Sequence, residues 1–93
     1  MKSLNEIRLA QELIRFRTIK TEDKGIMNFL SKKLSSIGFK CSPLLFSDPN
    51  SYEVKNLFAS IGSSGRHLAF AGHTDVVPTG PEANWRWPPF EPT

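Results

Sequence analysis

A short, wholly apolar run near the end of the chain is the feature that most constrains the fold. The run reads Leu68-Ala-Phe-Ala71, and Gly72 ends it. Continuous apolar runs of this length are typical of strands that are covered on both faces, as in the middle of an α/β sheet. We therefore predict a buried strand over residues 66–71 and an α/β fold around it.

Two amphipathic helices are predicted before this strand. Apolar residues recur at helical spacing over residues 4–16 and again over residues 26–37. Ser3 opens a capping box for the first helix, and Thr21 is a possible cap for the second. Gly38 stands where the second helix needs a left-handed residue to end it.

Two further strands are predicted between the second helix and the apolar run, over residues 39–46 and 56–61. Pro43 indicates that the first of them lies at a sheet edge or is broken there, because proline has no N–H to donate. Asp48-Pro-Asn-Ser51 has the composition of a turn. Gly62-Ser-Ser-Gly65 predicts a hairpin between the second strand and the strand that ends at Ala71. The expected order is two helices and then the strands of a mixed sheet.

Composition narrows the class of protein. The 93 residues suffice for one domain, 1–93, and no repeat or linker divides them. Cys41 is the lone cysteine, which excludes a disulfide within the chain and suits a reducing cytoplasm. The net charge of +3 comes from scattered basic residues, so we expect no nucleic-acid partner. No membrane-spanning stretch or secretory signal is recognisable, so we expect no membrane partner and a cytoplasmic location.

The last sixteen residues are rich in proline and aromatic residues. Pro78 begins this tail, and four more prolines exclude a regular helix from it. Trp85, Trp87 and Phe90 lie among these prolines. Such a tail is better explained as a loop packed against later sequence than as an exposed end.

A His and an Asp follow the predicted strand at i, i+2 spacing. In an extended chain, His73 and Asp75 point to the same side. A neutral imidazole is a common transition-metal ligand, and a carboxylate beside it can orient the ring and fix its tautomer. The spacing alone leaves both a metal site and an ordinary histidine open. We interpret His67, at the start of the strand, as a surface or strand-edge histidine.

The motifs resemble one family along essentially the whole chain. Residues 70–80 read FAGHTDVVPTG, and Trp85 is followed by PPFEPT at 88–93. AQELIR at 10–15, LSSIGF at 34–39 and KNLFA at 55–59 occur in the same order as in that family. The chain thus resembles the N-terminal region of the M20-type family of zinc-dependent aminoacylases and carboxypeptidases.

That resemblance implies a fold and a site. It implies the N-terminal part of a zinc-exopeptidase-like catalytic domain, with two zinc ions per complete active site and cobalt as a possible substitute. His73 matches a ligand of one zinc, and Asp75 matches the catalytic-site residue that supports this ligand. The family's remaining metal ligands, its general-base glutamate and its lid domain, which mediates dimerisation, follow the position of Thr93. We therefore expect a truncated domain that is inactive alone, and a homodimer for the complete enzyme.

The tail motif implies a substrate within the family. Trp85 with PPFEPT at 88–93 favours the branch that hydrolyses N-succinyl-LL-2,6-diaminopimelate, a small molecule of lysine and cell-wall precursor synthesis, to LL-diaminopimelate and succinate. One alternative is part of a related deacylase that acts on acetylornithine. Another is a non-catalytic small protein that binds a partner through residues 85–90.

Overall fold

The computed structural model describes residues 5–20 and 22–93, which form two helices followed by a β-hairpin. In chain order the elements are α1 (Glu6–Ile14), α2 (Ile26–Ser36), β1 (Lys40–Phe46), β2 (Val54–Ser60) and one short 3-10 helix (Glu82–Asn84). Two helices followed by strands were predicted, and this part of the prediction is confirmed. The arrangement is compatible with a piece of an α/β domain. Within the described ranges, no helix is both long and apolar enough to cross a membrane.

The start of α1 is set by an asparagine cap. Asn5 has extended backbone angles, and its Oδ1 accepts a hydrogen bond from the Arg8 N–H at 2.8 Å. This bond satisfies one of the donors that a helix start leaves free. The two caps predicted from the sequence, Ser3 and Thr21, lie outside the described residues.

The end of α2 confirms the prediction for Gly38. This residue has a φ of +102°, which a side chain would strain. The Phe39 N–H donates to the Leu34 carbonyl at 3.0 Å, and the Gly38 N–H donates to the Ser35 carbonyl at 3.1 Å. These two bonds form a Schellman motif, which closes the helix and directs the chain into β1.

β1 and β2 form an antiparallel hairpin, with Lys40 opposite Ser60 and Phe46 opposite Val54. The connection begins with the predicted turn, in which Asp48 Oδ1 accepts from the Asn50 N–H at 2.8 Å. Pro43 is opposite Leu57 in this sheet of two strands, where every strand is an edge. Its missing N–H is tolerated there, as predicted.

The hairpin has one covered face and one bare face. α2 packs against the face that carries Cys41, Leu57 and Ala59, which are all partly buried. Strand alternation sends the intervening side chains to the other face. The large apolar residues of that bare outer face, all exposed, are Leu44, Phe46, Val54 and Phe58.

The predicted third strand is wrong for the structure described. Residues 66–71 belong to no ladder, and Leu68 and Phe70 are 81% and 91% exposed. The predicted hairpin through Gly62 and Gly65 is wrong as well, because the chain does not return along β2. An apolar strand requires neighbours for its backbone groups, and no described segment lies beside this one.

Few of the described residues are buried from solvent. In the described part of the chain, the buried residues are Ile26 and Thr18, each 3% exposed. Ile7 and Ile14 of the predicted apolar stripe of α1 are 68% and 45% exposed. The accessible surface is 8010 Å², whereas a folded protein of this mass exposes about 5,400 Å². The radius of gyration is 15.6 Å, against about 12 Å for a compact domain of this length.

We predict that the 93-residue chain by itself behaves as a molten state of low solubility. Its open apolar faces supply too little burial to offset the conformational entropy of ordering. The expected signs are far-UV circular dichroism with weak near-UV signals, and strong binding of an apolar dye. A sharp cooperative melt with well-dispersed amide resonances would contradict this prediction.

Neighbouring residues of β2 supply a matched pair for the same experiment. Phe58→Thr removes apolar area from the bare outer face and should increase solubility and decrease dye binding. Leu57→Thr, one residue away on the face covered by α2, should instead decrease the helical signal. Equal effects of the two substitutions would mean that the faces do not differ.

Candidate metal centre

His73 and Asp75 contact each other directly. His73 Nδ1 lies 3.0 Å from Asp75 Oδ1 and 2.9 Å from the Asp75 backbone oxygen. Both side chains are open to solvent, with 82% of the imidazole and 67% of the carboxylate side chain exposed. The sequence predicted that these two side chains would share a side, and the structure brings them together.

The two contacts assign the tautomer of His73. A carboxylate oxygen and a carbonyl oxygen both accept hydrogen bonds, so the nitrogen between them must donate. Nδ1 therefore carries the proton, and the lone pair of the neutral imidazole is on Nε2. This is the arrangement in which a histidine binds a metal through Nε2 while a carboxylate holds the ring.

The segment that carries this pair is tied to the loop after α1. The Val76 N–H donates to the Thr18 carbonyl at 2.9 Å, and the Lys20 N–H donates to the Val76 carbonyl at 3.0 Å. These bonds make a single parallel bridge between Ile19 and Val76. A third bond joins Thr18 Oγ1, as donor, to the Thr74 carbonyl at 2.5 Å. Two backbone hydrogen bonds and one side-chain hydrogen bond thus hold the His-Thr-Asp segment in place, although it lies in no strand.

The proline-rich tail is attached to the same loop through Arg17. Its guanidinium donates to both carboxylate oxygens of Glu82, at 2.5 and 3.4 Å, and its Cζ lies 4.5 Å from the centre of the Phe90 ring. The hydrogen bond from Arg17 lowers the pKa of Glu82 below its usual value. The tail therefore packs back against the region beside His73, while Trp85 and Trp87 remain 48% and 57% exposed.

A shallow depression adjoins the pair but lacks the chemistry of a complete site. Its volume is about 290 Å³. Its lining is mainly apolar and includes Leu13, Phe16, Ile26, Leu30, Val76 and Phe90. Within residues 5–20 and 22–93, no three His, Cys, Asp or Glu side chains come close enough together to hold a metal ion. The described residues supply one imidazole and its carboxylate partner.

The His73–Asp75 pair was predicted from the sequence, but the residues that hold it in place were not. His67 is exposed, as predicted for a surface histidine. Gly72 needs neither a left-handed backbone nor close packing here, since a Cβ built on it meets nothing within 4 Å. The supporting residues that the sequence did not reveal are Thr18 and Arg17. No local pattern marks them, because their partners lie 56 and 65 residues further along the chain.

Comparison with known proteins extends the motif resemblance to the whole chain. A succinyl-diaminopimelate desuccinylase of Pelagibacter ubique (strain HTCC1062) is 54% identical over 93 residues, which is 100% of this chain and 24% of that protein. One of Ehrlichia canis (strain Jake) is 47% identical over 88 residues, or 95% of this chain and 23% of its own length. One of Methylocella silvestris is 45% identical over 84 residues, or 90% of this chain and 22% of its own length.

The chain thus spans about a quarter of the length of the curated relatives that it matches. The resemblance predicted from the motifs is confirmed over that quarter. No family model matches the chain.

The attachment of the tail should depend on pH. Because the pKa of Glu82 is lower in the folded state, its ion pair stabilises the structure above the ordinary value of 4.5 and is lost as the pH falls through the lowered value. The indole N–H of Trp85 donates to the Thr79 carbonyl within this tail. We expect its NMR resonance to shift over that acidic range. The measurement uses the full protein, meaning the polypeptide as its gene encodes it.

Two glutamates of the tail supply the comparison. Glu82→Gln should remove the pH dependence and leave the resonance at its low-pH position throughout. Glu91→Gln should keep the wild-type response, because among the described residues Glu91 forms no ion pair. A wild-type response in Glu82→Gln would show that another group controls the tail.

Proposed function

Because this chain is similar along its whole length to succinyl-diaminopimelate desuccinylases, we propose that it forms part of a metal-dependent amide hydrolase. The proposed reaction adds water to the succinyl amide of N-succinyl-LL-2,6-diaminopimelate and releases succinate and LL-diaminopimelate, as a step of lysine biosynthesis. The observation that carries the proposal is the match of nearly the whole of this chain to about a quarter of the length of proteins of that name. The His73–Asp75 pair supplies the matching chemistry.

The His73–Asp75 pair has the chemistry of one ligand position of a zinc site. His73 Nε2 has its lone pair free of the contacts that hold the ring, and its imidazole is exposed. We propose that His73 binds one of two metal ions, zinc or in its place cobalt. When bound, zinc polarises an amide carbonyl and lowers the pKa of water, which are the two effects that amide hydrolysis requires.

Asp75 fixes the tautomer and the orientation of this ligand. Its carboxylate and its backbone carbonyl both accept from His73 Nδ1, so the ring stays in the Nε2-binding tautomer and in one orientation. Partners of this kind fix the tautomer and the orientation of histidine ligands in metal sites. In this proposal the further ligands and the general base come from the part of such enzymes that the matched quarter does not include.

The remaining features belong to the same proposal. Residues 1–93 form the N-terminal portion of an M20-type catalytic domain, and the complete enzyme is a cytoplasmic homodimer that acts on a small molecule. The lone Cys41 suits a reducing compartment. The apolar faces of the hairpin and of α1 are the surfaces that the rest of a domain would cover.

The relatives reported above favour a succinylated substrate over acetylornithine, because all three are named for succinyl-diaminopimelate. A turnover assay of the full protein with both compounds tests this choice. We expect hydrolysis of N-succinyl-LL-2,6-diaminopimelate to be the faster reaction. Preference for N-acetylornithine would indicate the related deacylase, and no turnover of either would favour a binding protein.

Substitutions at the pair should give a graded loss in the full protein. Asp75→Ala removes an acceptor that orients the ligand and should weaken zinc affinity or activity by about 10- to 100-fold. Asp75→Asn keeps an acceptor oxygen and should lose less, whereas His73→Asn removes the ligand and should lose more. The measurements are zinc affinity by competition with a chromophoric chelator, and kcat/KM.

His67→Asn is the matched control for these substitutions. It alters an exposed histidine six positions before the proposed ligand and should retain wild-type affinity and turnover. His73→Asn with wild-type zinc affinity would overturn the assignment. The 93-residue chain alone should show no turnover, and real turnover by it would contradict the proposed need for further residues.

A further inference from the structure

Thr18 is the buried polar residue of the described chain, and its one side-chain hydrogen bond goes to the His-Thr-Asp segment. Thr18 and Ile26 are each 3% exposed, and both line the depression beside His73. Thr18 Oγ1 donates to the Thr74 carbonyl at 2.5 Å. Thr74 is the residue between His73 and Asp75, so this bond fixes the peptide on which their pairing depends.

Backbone bonds on the other side of Asp75 complete the support. The Val76 N–H and carbonyl are both bonded to the loop that carries Thr18, at 2.9 and 3.0 Å. Rotation of either peptide next to Asp75 would move the two oxygens that hold His73 Nδ1. The hydroxyl bond controls the peptide before Asp75, and the parallel bridge controls the peptide after it.

The hydroxyl is not needed to fill the space. Valine has nearly the same shape as threonine and would occupy an enclosed apolar site without requiring a partner. A hydroxyl buried there must be bonded, and the acceptor that it meets is the Thr74 carbonyl. The bond therefore selects one orientation of that peptide, which a valine would not do.

We propose that Thr18 is a positioning residue for the metal ligand. Its hydroxyl holds the Thr74 peptide so that the Asp75 oxygens stay against His73 Nδ1, and this pre-orients Nε2 for zinc. The inference rests on the proposed function, since it assigns Thr18 a role in the metal affinity of that same site. It adds a buried residue from the loop after α1 that would act on the ligand through the His-Thr-Asp segment.

Three variants of the full protein separate positioning from general stability. Thr18→Val removes the donor and keeps the shape, Thr18→Ser keeps the donor, and Leu57→Ala destabilises the distant hairpin on its α2 face. Zinc affinity is measured by competition with a chromophoric chelator. Thermal unfolding is followed in the absence of metal, and kcat and KM are determined at saturating zinc. Thr18→Ala replaces Thr18→Val if the latter fails to fold, because it too removes the hydroxyl donor and adds no group that binds zinc.

We expect Thr18→Val to weaken zinc affinity by about 10- to 100-fold, the range seen when a partner of a metal ligand is removed. Thr18→Ser should bind zinc nearly as well as wild type, and Leu57→Ala should bind zinc normally despite its lower melting temperature. With zinc saturating, Thr18→Val should keep its KM, because Thr18 is only 3% exposed and so offers little surface to a substrate.

The outcomes distinguish this inference from the function on which it rests. If wild type binds zinc and hydrolyses the succinyl amide but Thr18→Val binds zinc equally well, the positioning role is overturned and the function stands. If Thr18→Ser is as weak as Thr18→Val, the hydroxyl is not the cause and the role is again overturned. If wild type neither binds zinc nor turns over, the proposed function fails and the positioning role fails with it.

Discussion

The contact between the loop after α1 and the His-Thr-Asp segment is the constraint on which the rest of the structure depends. It consists of two backbone bonds and the Thr18 hydroxyl bond, and it joins residues 56 positions apart. The length-dependent part of the entropic cost of closing a flexible loop of that size is about 3.6 kcal/mol, whereas three hydrogen bonds contribute about 0.5–1.5 kcal/mol each. The two quantities are of similar size, so the hydrogen bonds alone give the contact little net stability. Apolar side chains that line the adjoining depression, among them the buried Ile26, add to it.

Features governed by neighbouring residues were predictable from the sequence, and features governed by distant residues were not. Gly38 ends α2, Asp48 opens the hairpin turn, and Pro43 lies in an edge strand, because each outcome follows from the residue's own backbone chemistry. The apolar run at 68–71 has the composition of a buried strand, but a strand also needs partners. The described residues supply none, and the segment remains exposed.

The same distinction holds at the candidate site. His73 and Asp75 lie two residues apart, so their pairing could be predicted from spacing, and the structure adds the tautomer. Thr18 and the Arg17–Glu82 ion pair could not be found in this way. Their side chains are ordinary in their local context, and only the folded chain reveals what each one holds in place.

The bare outer face of the hairpin favours aggregation of the chain while it is exposed. Phe46 and Phe58 are 57% and 60% exposed on a sheet whose two strands both have an unpaired edge. Such a surface pairs readily with other chains, so a polypeptide that exposes it is prone to aggregation. The apolar residues of this face thus also make the hairpin a target for chaperones wherever no other layer covers it.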